Sequence, residues 1–475
     1  MKKLKKTGLF FCVLVAILIP TMSWAGATSS LDITGPCYEM LSPTNSATEM
    51  AVTWWDALEV NTASVQYSTS SNFSSGVFSV AATLSKNDTT NGYSAFAATM
   101  TNLTADTTYY YRVGNVTAWS DTNSFTTGDA ASASSLSIMY LGDAQYASYN
   151  AAVEEYATWG SLINGAYTKF PNLDFALMGG DLVSLGQSAV DWQRFYNNAS
   201  PVFSKLPVLA VPGNHESNAT SGKPELFLKL FDLPTNGPTG FEEEFYSYDY
   251  GNCHIVCLSS SIFLDEQLAA GTMTEADFDT IKQWIASDLA DSDATWKIVV
   301  MHHPAYAVVS DDTAVDVLAN WAPVFVNAQV DLVLCGHQHV YMRTEAIKGV
   351  TYVMGVSGSK FYAPATVSYS ECMIGYTSNY EIINADSNSL TVTAYDSTGT
   401  SLDTVTIKPK NRTITPTWPE DIVGDLNGDG SITSADVTLL ISAILTNAAY
   451  STVMDVNDDG KVNICDAHQL SLSLL

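Results

Sequence analysis

One pattern repeats along the middle of the chain: a short apolar run breaks off into glycine, Asp, Asn or His. The endings are Gly142-Asp143-Ala144-Gln145, Gly180-Asp181-Leu182, Gly213-Asn214-His215-Glu216, His302-His303-Pro304 after Val299, and Gly336-His337-Gln338-His339. The runs Leu136–Leu141, Leu173–Met178, Val208–Val211, His254–Leu258, Ile298–Met301, Leu332–Leu334 and Val350–Val356 read as buried strands. Helical periodicity at Ala151–Tyr167, Ser188–Asn197, Glu275–Leu289 and Thr313–Val326 alternates with them. The reading is an α/β or layered α+β domain over 136–408. In open sheets of this kind the strand ends converge on one rim, where ligands sit. Five of the 7 His in the chain lie in three of the clusters, which chance placement would not produce.

The flanks obey other rules. From Gly35 to Thr127 apolar and polar residues alternate in short Thr-, Ser-, Tyr- and Val-rich runs, which predicts an all-β sandwich over 32–127. Leu103-Thr-Ala-Asp-Thr-Thr-Tyr109-Tyr-Tyr-Arg-Val113 resembles the tyrosine corner of fibronectin type III-like sandwiches. With no His and few clustered carboxylates, the sandwich is expected to be structural. A Thr/Pro-rich stretch at 409–420 reads as a linker, and a small module with an internal repeat follows over 421–475. At the other end Lys2, Lys3, Lys5 and Lys6 precede an apolar run from Leu9 to Ile19 and the small-residue site Ser23-Trp24-Ala25. This is the pattern of a secretory signal over 1–25, too short in its apolar part for the roughly 20 residues of a membrane span.

Composition narrows the partners. The 49 acidic against 20 basic residues give −29, and without the four leading lysines 16 basic residues remain, near −33. Such a charge excludes a nucleic-acid binder by charge and an adhesin for anionic membranes. The 7 Cys are too sparse for a disulfide scaffold. Cys253 and Cys257 share a strand face about 13 Å apart, too far to bridge.

Asp, Asn and His without a thiolate suit borderline-hard ions such as Zn, Mn or Fe, and two Asp with at least three His exceed one tetrahedral shell. In order and spacing, Asp143, Gly180-Asp181, Gly213-Asn-His-Glu216, Val299-x-x-His302 and Gly336-His-x-His339 resemble the calcineurin-like metallophosphoesterases, and more closely their purple acid phosphatase branch, which also carries a leading fibronectin-like domain. The resemblance implies a layered αββα sandwich holding two divalent or trivalent transition-metal ions. Asp181 would bridge them. Asp143 and His339 would complete the first ion's shell, and Asn214, His302 and His337 the second's. His215 matches a residue that contacts phosphate and protonates the leaving alcohol, with Glu216 expected to orient it. Asn214, His303, Tyr341 and Arg343 match substrate-contacting or mouth-lining positions.

Two departures bear on the metals. Ser184 stands where purple enzymes have a Tyr phenolate on ferric iron, so a homodivalent centre is expected. Gln145 stands where relatives carry His or Gly, and its amide oxygen is expected to join the first ion.

The repeat in the last module is Asp425-Leu-Asn427-Gly-Asp429-Gly430-Ser431, closed by Asp436, and Asp455-Val-Asn457-Asp-Asp459-Gly460-Lys461, closed by Asp466. Oxygen ligands at positions 1, 3, 5 and 12, a sharp-turn Gly at 6 and a backbone carbonyl at 7, here Ser431 and Lys461, make an EF-hand-like Ca²⁺ loop. The pair resembles the type I dockerin, a small α module that binds two Ca²⁺ and docks onto cohesin domains of a scaffoldin; the alternative is a structural Ca²⁺ clip. The whole reads as a secreted phosphoesterase hydrolysing phosphate monoesters by in-line attack of a metal-bound hydroxide, carried on a cellulosome-like scaffold. The alternatives are a phosphodiesterase or nucleotide hydrolase on the same site, and a non-catalytic dockerin-borne binding protein.

Overall fold

The computed structural model describes residues 31–128, 133–146, 156–264, 273–412, 423–426, 432–446, 453–457 and 461–474. The expected signal at 1–25, the linker residues 413–420 and the calcium candidates Asn427, Asp429, Ser431 and Asp459 lie outside the described residues.

The first domain is a sandwich of two four-stranded sheets. One runs in the order Cys37–Pro43, Met50–Ala57, Tyr93–Met100, Thr83–Asp88; the other in the order Phe78–Ala81, Ser64–Ser68, Thr108–Gly114, Asn123–Thr126. Trp54, Val65, Phe96 and Tyr111 fill the space between them. The Tyr109 hydroxyl accepts the Thr104 N–H at 3.0 Å, which is the expected tyrosine corner. Two side chains bond the sandwich to the next domain: Tyr111 Oη donates to the Ser204 carbonyl at 2.8 Å and Thr53 Oγ1 to that of Leu230 at 2.9 Å.

The second domain stacks two sheets. The six-stranded one runs Val208–Ala210, Phe175–Met178, Leu136–Leu141, Asn379–Ala385, Leu390–Asp396, Ser401–Ile407. The seven-stranded one runs Phe245–Tyr250, Cys253–Leu258, Trp296–Met301, Leu332–Cys335, Val350–Met354, Tyr341–Ile347, Ser370–Ile374. Strand alternation sorts the second sheet into two cores. Ile255, Ile298, Val300, Leu332 and Leu334 face the other sheet, whereas Val256, Val299, Met301, Val333 and Cys335 face the helices Glu275–Asp291, Asp312–Asn320 and Ala322–Asn327. Helices Tyr156–Lys169 and Ala189–Phe203 pack into the first core through Trp159, Leu162, Trp192 and Phe195.

The single helix expected over Thr313–Val326 is broken at Trp321. Pro323 has no N–H for a continuing helix and suits the first turn of a new one.

The last module has the helices Ser434–Thr446 and Ile464–Ser473, and the twelfth residue of each repeat, Asp436 or Asp466, lies in the helix's first turn. Asp436 accepts from the N–H groups of Leu426 and Thr433, and Asp466 from those of Asn457 and Asn463, so the described parts of the two copies share these contacts. Asp425, Asp436, Asp455 and Asp466 are buried. Leu440, Met454 and Leu470 form a small core that takes in Val315 from the helix Asp312–Asn320. Among the described residues no helix is long and apolar enough to cross a membrane.

Candidate metal centre

Parallel strands bring the polar clusters together. Asp143, Asp181 and Asn214 follow three adjacent strands of the six-stranded sheet, and His302, His337 and His339 follow two adjacent strands of the other. One sheet supplies carboxylates and an amide, the other imidazoles. The turns are tight. Asp143, Asp181, His337 and His339 have φ of +41°, +50°, +74° and +48°, a region non-glycine residues rarely enter and which clusters at functional sites. Side chains crowd their neighbours' glycines: a Cβ on Gly213 would lie 2.2 Å from Asp181 Oδ1, and one on Gly336 2.3 Å from Asp143 Oδ2.

All seven residues read from the sequence as metal ligands meet in one cluster. His302 Nε2 lies 3.1 Å from Asn214 Oδ1, 3.3 Å from His337 Nδ1 and 3.3 Å from Asp181 Oδ2. His337 Nδ1 is also 3.1 Å from Asn214 Oδ1. His302 Nδ1 sits 2.8 Å from the Gly179 carbonyl, a bond that requires the proton on Nδ1 and, in the neutral ring, leaves a lone pair on Nε2. Two lone pairs then face each other, which is repulsive unless a cation or a proton lies between them. Donors on a tetrahedral ion with bonds of roughly 2.05 Å stand about 3.3 Å apart, the spacing seen here.

On the other side Gln145 Nε2 donates to Asp181 Oδ2 at 2.6 Å and lies 3.4 Å from His339 Nε2, itself 3.7 Å from Asp143 Oδ1. A half-turn of the amide would present Oε1 to the same space.

Burial sets the electrostatics. It pushes the Asp143 carboxyl up to about 8, and the nearby Asp181 charge adds to this. At Asp181 burial is outweighed by His302 and His215, which hold it well below the usual range. Burial would lower His302, yet Asp181 brings it up to about 9. His303 and His339 are driven down by burial. The cluster therefore collects protons where ions would otherwise bind, and the two compete for the same lone pairs.

His215 lies at the edge, its Nδ1 2.7 Å from the Ser184 carbonyl and its Nε2 3.9 Å from Asp181 Oδ2. An open cleft of about 510 Å³, lined by Ser184, Gln187, Ser188, Asn214, His215 and Ser217 among others, begins beside it.

Comparison with known proteins agrees with this geometry. Residues 36–127 match the family described as purple acid phosphatase, N-terminal domain; residues 120–341 match calcineurin-like phosphoesterase; and residues 423–475 match the dockerin type I domain. The chain joins a purple acid phosphatase N-terminal domain, a calcineurin-like phosphoesterase domain and a type I dockerin. An uncharacterised protein of Mycobacterium tuberculosis is 27% identical over 330 residues, covering 64% of this chain and 61% of the relative. Purple acid phosphatase 22 of Arabidopsis thaliana is 25% identical over 255 residues, 52% of each chain. The chain thus spans about three fifths of the first relative's length and half of the second's. Among solved structures, a purple acid phosphatase from yellow lupin seeds shares the fold at a TM-score of 0.65 and 19% identity, over 80% of this chain and 75% of that one.

Within the phosphoesterase domain three expectations need correction. Tyr341 and Arg343 do not line the mouth: Tyr341 is buried between the sheets, and both bind Asp403, Tyr341 Oη at 2.9 Å and Arg343 Nε at 2.6 Å. Glu216 does not orient His215; its carboxylate accepts the backbone N–H groups of Asp181, Val183 and Gly213, stapling two ligand loops together. His303 lies in the cluster but is fully buried, with Nδ1 2.9 Å from Ser260 Oγ and its ring 4.3 Å from that of His337.

Two residues escaped the sequence reading. Asp311 Oδ2 lies 2.7 Å from His337 Nε2. Lys360 is a half-buried cation whose charge acts on both Asp143 and His339, beside Tyr362, whose ring is 4.9 Å from that of His339. It follows the strand Val350–Met354, so the strand-end rule applied to that run would have found it.

Proposed function

We propose that this chain is an exported dinuclear metal phosphoesterase that hydrolyses phosphate monoesters and is carried by its dockerin on a cohesin-bearing scaffold. The observation that carries the catalytic part is the convergence of His302 Nε2, His337 Nδ1 and Asn214 Oδ1 at 3.1 to 3.3 Å, beside Asp181, in a buried cluster. Asp143, Gln145, Asp181 and His339 would hold one ion, and Asp181, Asn214, His302 and His337 the other. When bound, such ions activate water and neutralise charge on the phosphoryl oxygens. The chain's residues do the rest. Asn214 and His215 orient the phosphoryl group, the cleft beside them, lined by Leu185 as well as by Gln187 and serines, receives the alcohol portion, and His215 gives that alcohol its proton. The Ser184 carbonyl holds His215 Nδ1 at 2.7 Å, and Nε2 lies 3.9 Å from Asp181 Oδ2, next to the phosphoryl position this reading requires.

Turnover of p-nitrophenyl phosphate is expected to vanish after chelation and to return with Mn²⁺, Zn²⁺ or Fe²⁺, with the bis-p-nitrophenyl diester hydrolysed at least about tenfold more slowly. Equal rates on both esters would favour the diesterase alternative. No turnover by a chain loaded with two ions would leave only a binding role. An absorption band of a ferric phenolate would overturn the homodivalent centre expected from Ser184.

Export is supported by the lysine-led apolar run Leu9–Ile19 with the small-residue site ending at Ala25, and cohesin docking by the dockerin match over residues 423–475. Binding to an immobilised cohesin is expected in Ca²⁺ and to be lost in EDTA. Retention in EDTA would contradict a calcium-built docking face.

A further inference from the structure

We infer that Asp311 is a positioning residue for the centre, holding His337 in the ring orientation that aims Nδ1 at Asn214 and His302. This rests on the dinuclear reading above. His337 Nε2 is 2.7 Å from Asp311 Oδ2, so the Nε2 proton is committed to the carboxylate and, in the neutral ring, the lone pair falls on Nδ1. Carboxylates behind ligating imidazoles fix both tautomer and orientation in this way and raise the ligand's basicity.

Asp311 is itself held from two sides. Its Oδ1 accepts the Ala314 N–H at 3.2 Å, making it the N-cap of the helix Asp312–Asn320. Gln338, next to His337 in sequence, donates through Nε2 to Asp311 Oδ2 at 3.3 Å and to the Val309 carbonyl at 3.0 Å, while its Oε1 accepts the Val308 and Val309 N–H groups. The residue after the ligand thus ties down the loop that carries the ligand's partner. At its other end His337 is fixed by its backbone N–H, 2.8 Å from Asp143 Oδ2. Both the root and the tip of the side chain are therefore held, and the tip depends on Asp311. A helix cap needs only one side-chain oxygen, which Ser or Asn supplies as well as Asp. The second, charged oxygen is the part that serves His337.

The test uses the full chain, with Ca²⁺ present throughout to keep the dockerin filled. Wild type, Asp311→Asn and Asp311→Ser are stripped of transition metal and titrated with Zn²⁺ against a chromophoric chelator, and bound metal is counted after gel filtration. Both variants keep a capping oxygen, so thermal unfolding of the stripped proteins is expected to match wild type. In both variants one ion is expected to bind as in wild type and the other about 10- to 100-fold more weakly. Unchanged affinity for both ions, or equal weakening of both with a lowered stripped-state unfolding temperature, would overturn the assignment. A wild type that takes up fewer than two ions would instead remove the dinuclear reading on which it rests.

Discussion

The Asp181→Asn variant is expected to lose at least about a thousand-fold in kcat/KM, with transition-metal content falling from two ions towards none. Asp181 contacts both sides of the cluster, Gln145 on one and His302 on the other. Its Oδ1 accepts the His215 N–H at 2.9 Å, and its Oδ2 accepts from Gln145 and stands 3.3 Å from His302 Nε2. An amide can keep the bond to His215, but its NH₂ would then meet the Gln145 NH₂ and could no longer share charge between two ions. Shape is conserved and charge is not. Stripped of metal, the variant is expected to unfold at a lower temperature than stripped wild type, because His302 loses a buried counter-charge, while the Glu216 staple to the residue-181 N–H remains and limits the loss. Metal analysis and kcat/KM read the two halves of this expectation separately. Activity within tenfold of wild type, with two ions bound, would remove Asp181 from the bridging position.

What the sequence made legible was whatever lies at a strand end or inside one continuous loop. Asp143, Asp181, Asn214, His302, His337 and His339 each follow an apolar run directly, and a parallel sheet carries such ends to one rim whatever the details of packing. The dockerin repeat was readable because its motif is contained in two short continuous stretches. The errors fall where that locality ends. Tyr341 and Arg343 follow the last ligand closely enough to look like part of the mouth, but alternation along their strand turns both toward Asp403 and the space between the sheets. No periodicity in that stretch says which face of the sheet is which. Glu216 was adjacent to His215 and was read as its partner, yet its acceptors are filled by backbone from two loops. Asp311 sits in a loop before a helix and is indistinguishable in sequence from an ordinary N-cap; its second role exists only because Gln338 draws that loop against His337. The acidity has a similar division. Part of it belongs to the dockerin repeat, where Asp425, Asp436, Asp455 and Asp466 are buried, and the rest is spread along the chain before it.

The His215→Ala variant is expected to separate substrates by their leaving groups. Proton donation to a departing alkoxide contributes roughly 10²- to 10⁴-fold, whereas p-nitrophenolate leaves with little help. An alkyl phosphate should therefore lose on the order of 10²-fold or more in kcat, and p-nitrophenyl phosphate less than about tenfold. The structure sets up this difference: Nδ1 is engaged with the Ser184 carbonyl, and Nε2 lies 3.9 Å from Asp181 Oδ2 at the edge of the cluster, where the open cleft begins. The variant should retain both ions, since His215 is not among the residues that would hold them and its backbone N–H, which the variant keeps, still donates to Asp181 Oδ1. A plot of log kcat against leaving-group pKa would then be steeper for the variant than for wild type. Parallel lines, displaced equally for every ester, would mean that His215 binds the phosphoryl group without donating a proton, and the alcohol would have to take its proton from solvent in the cleft.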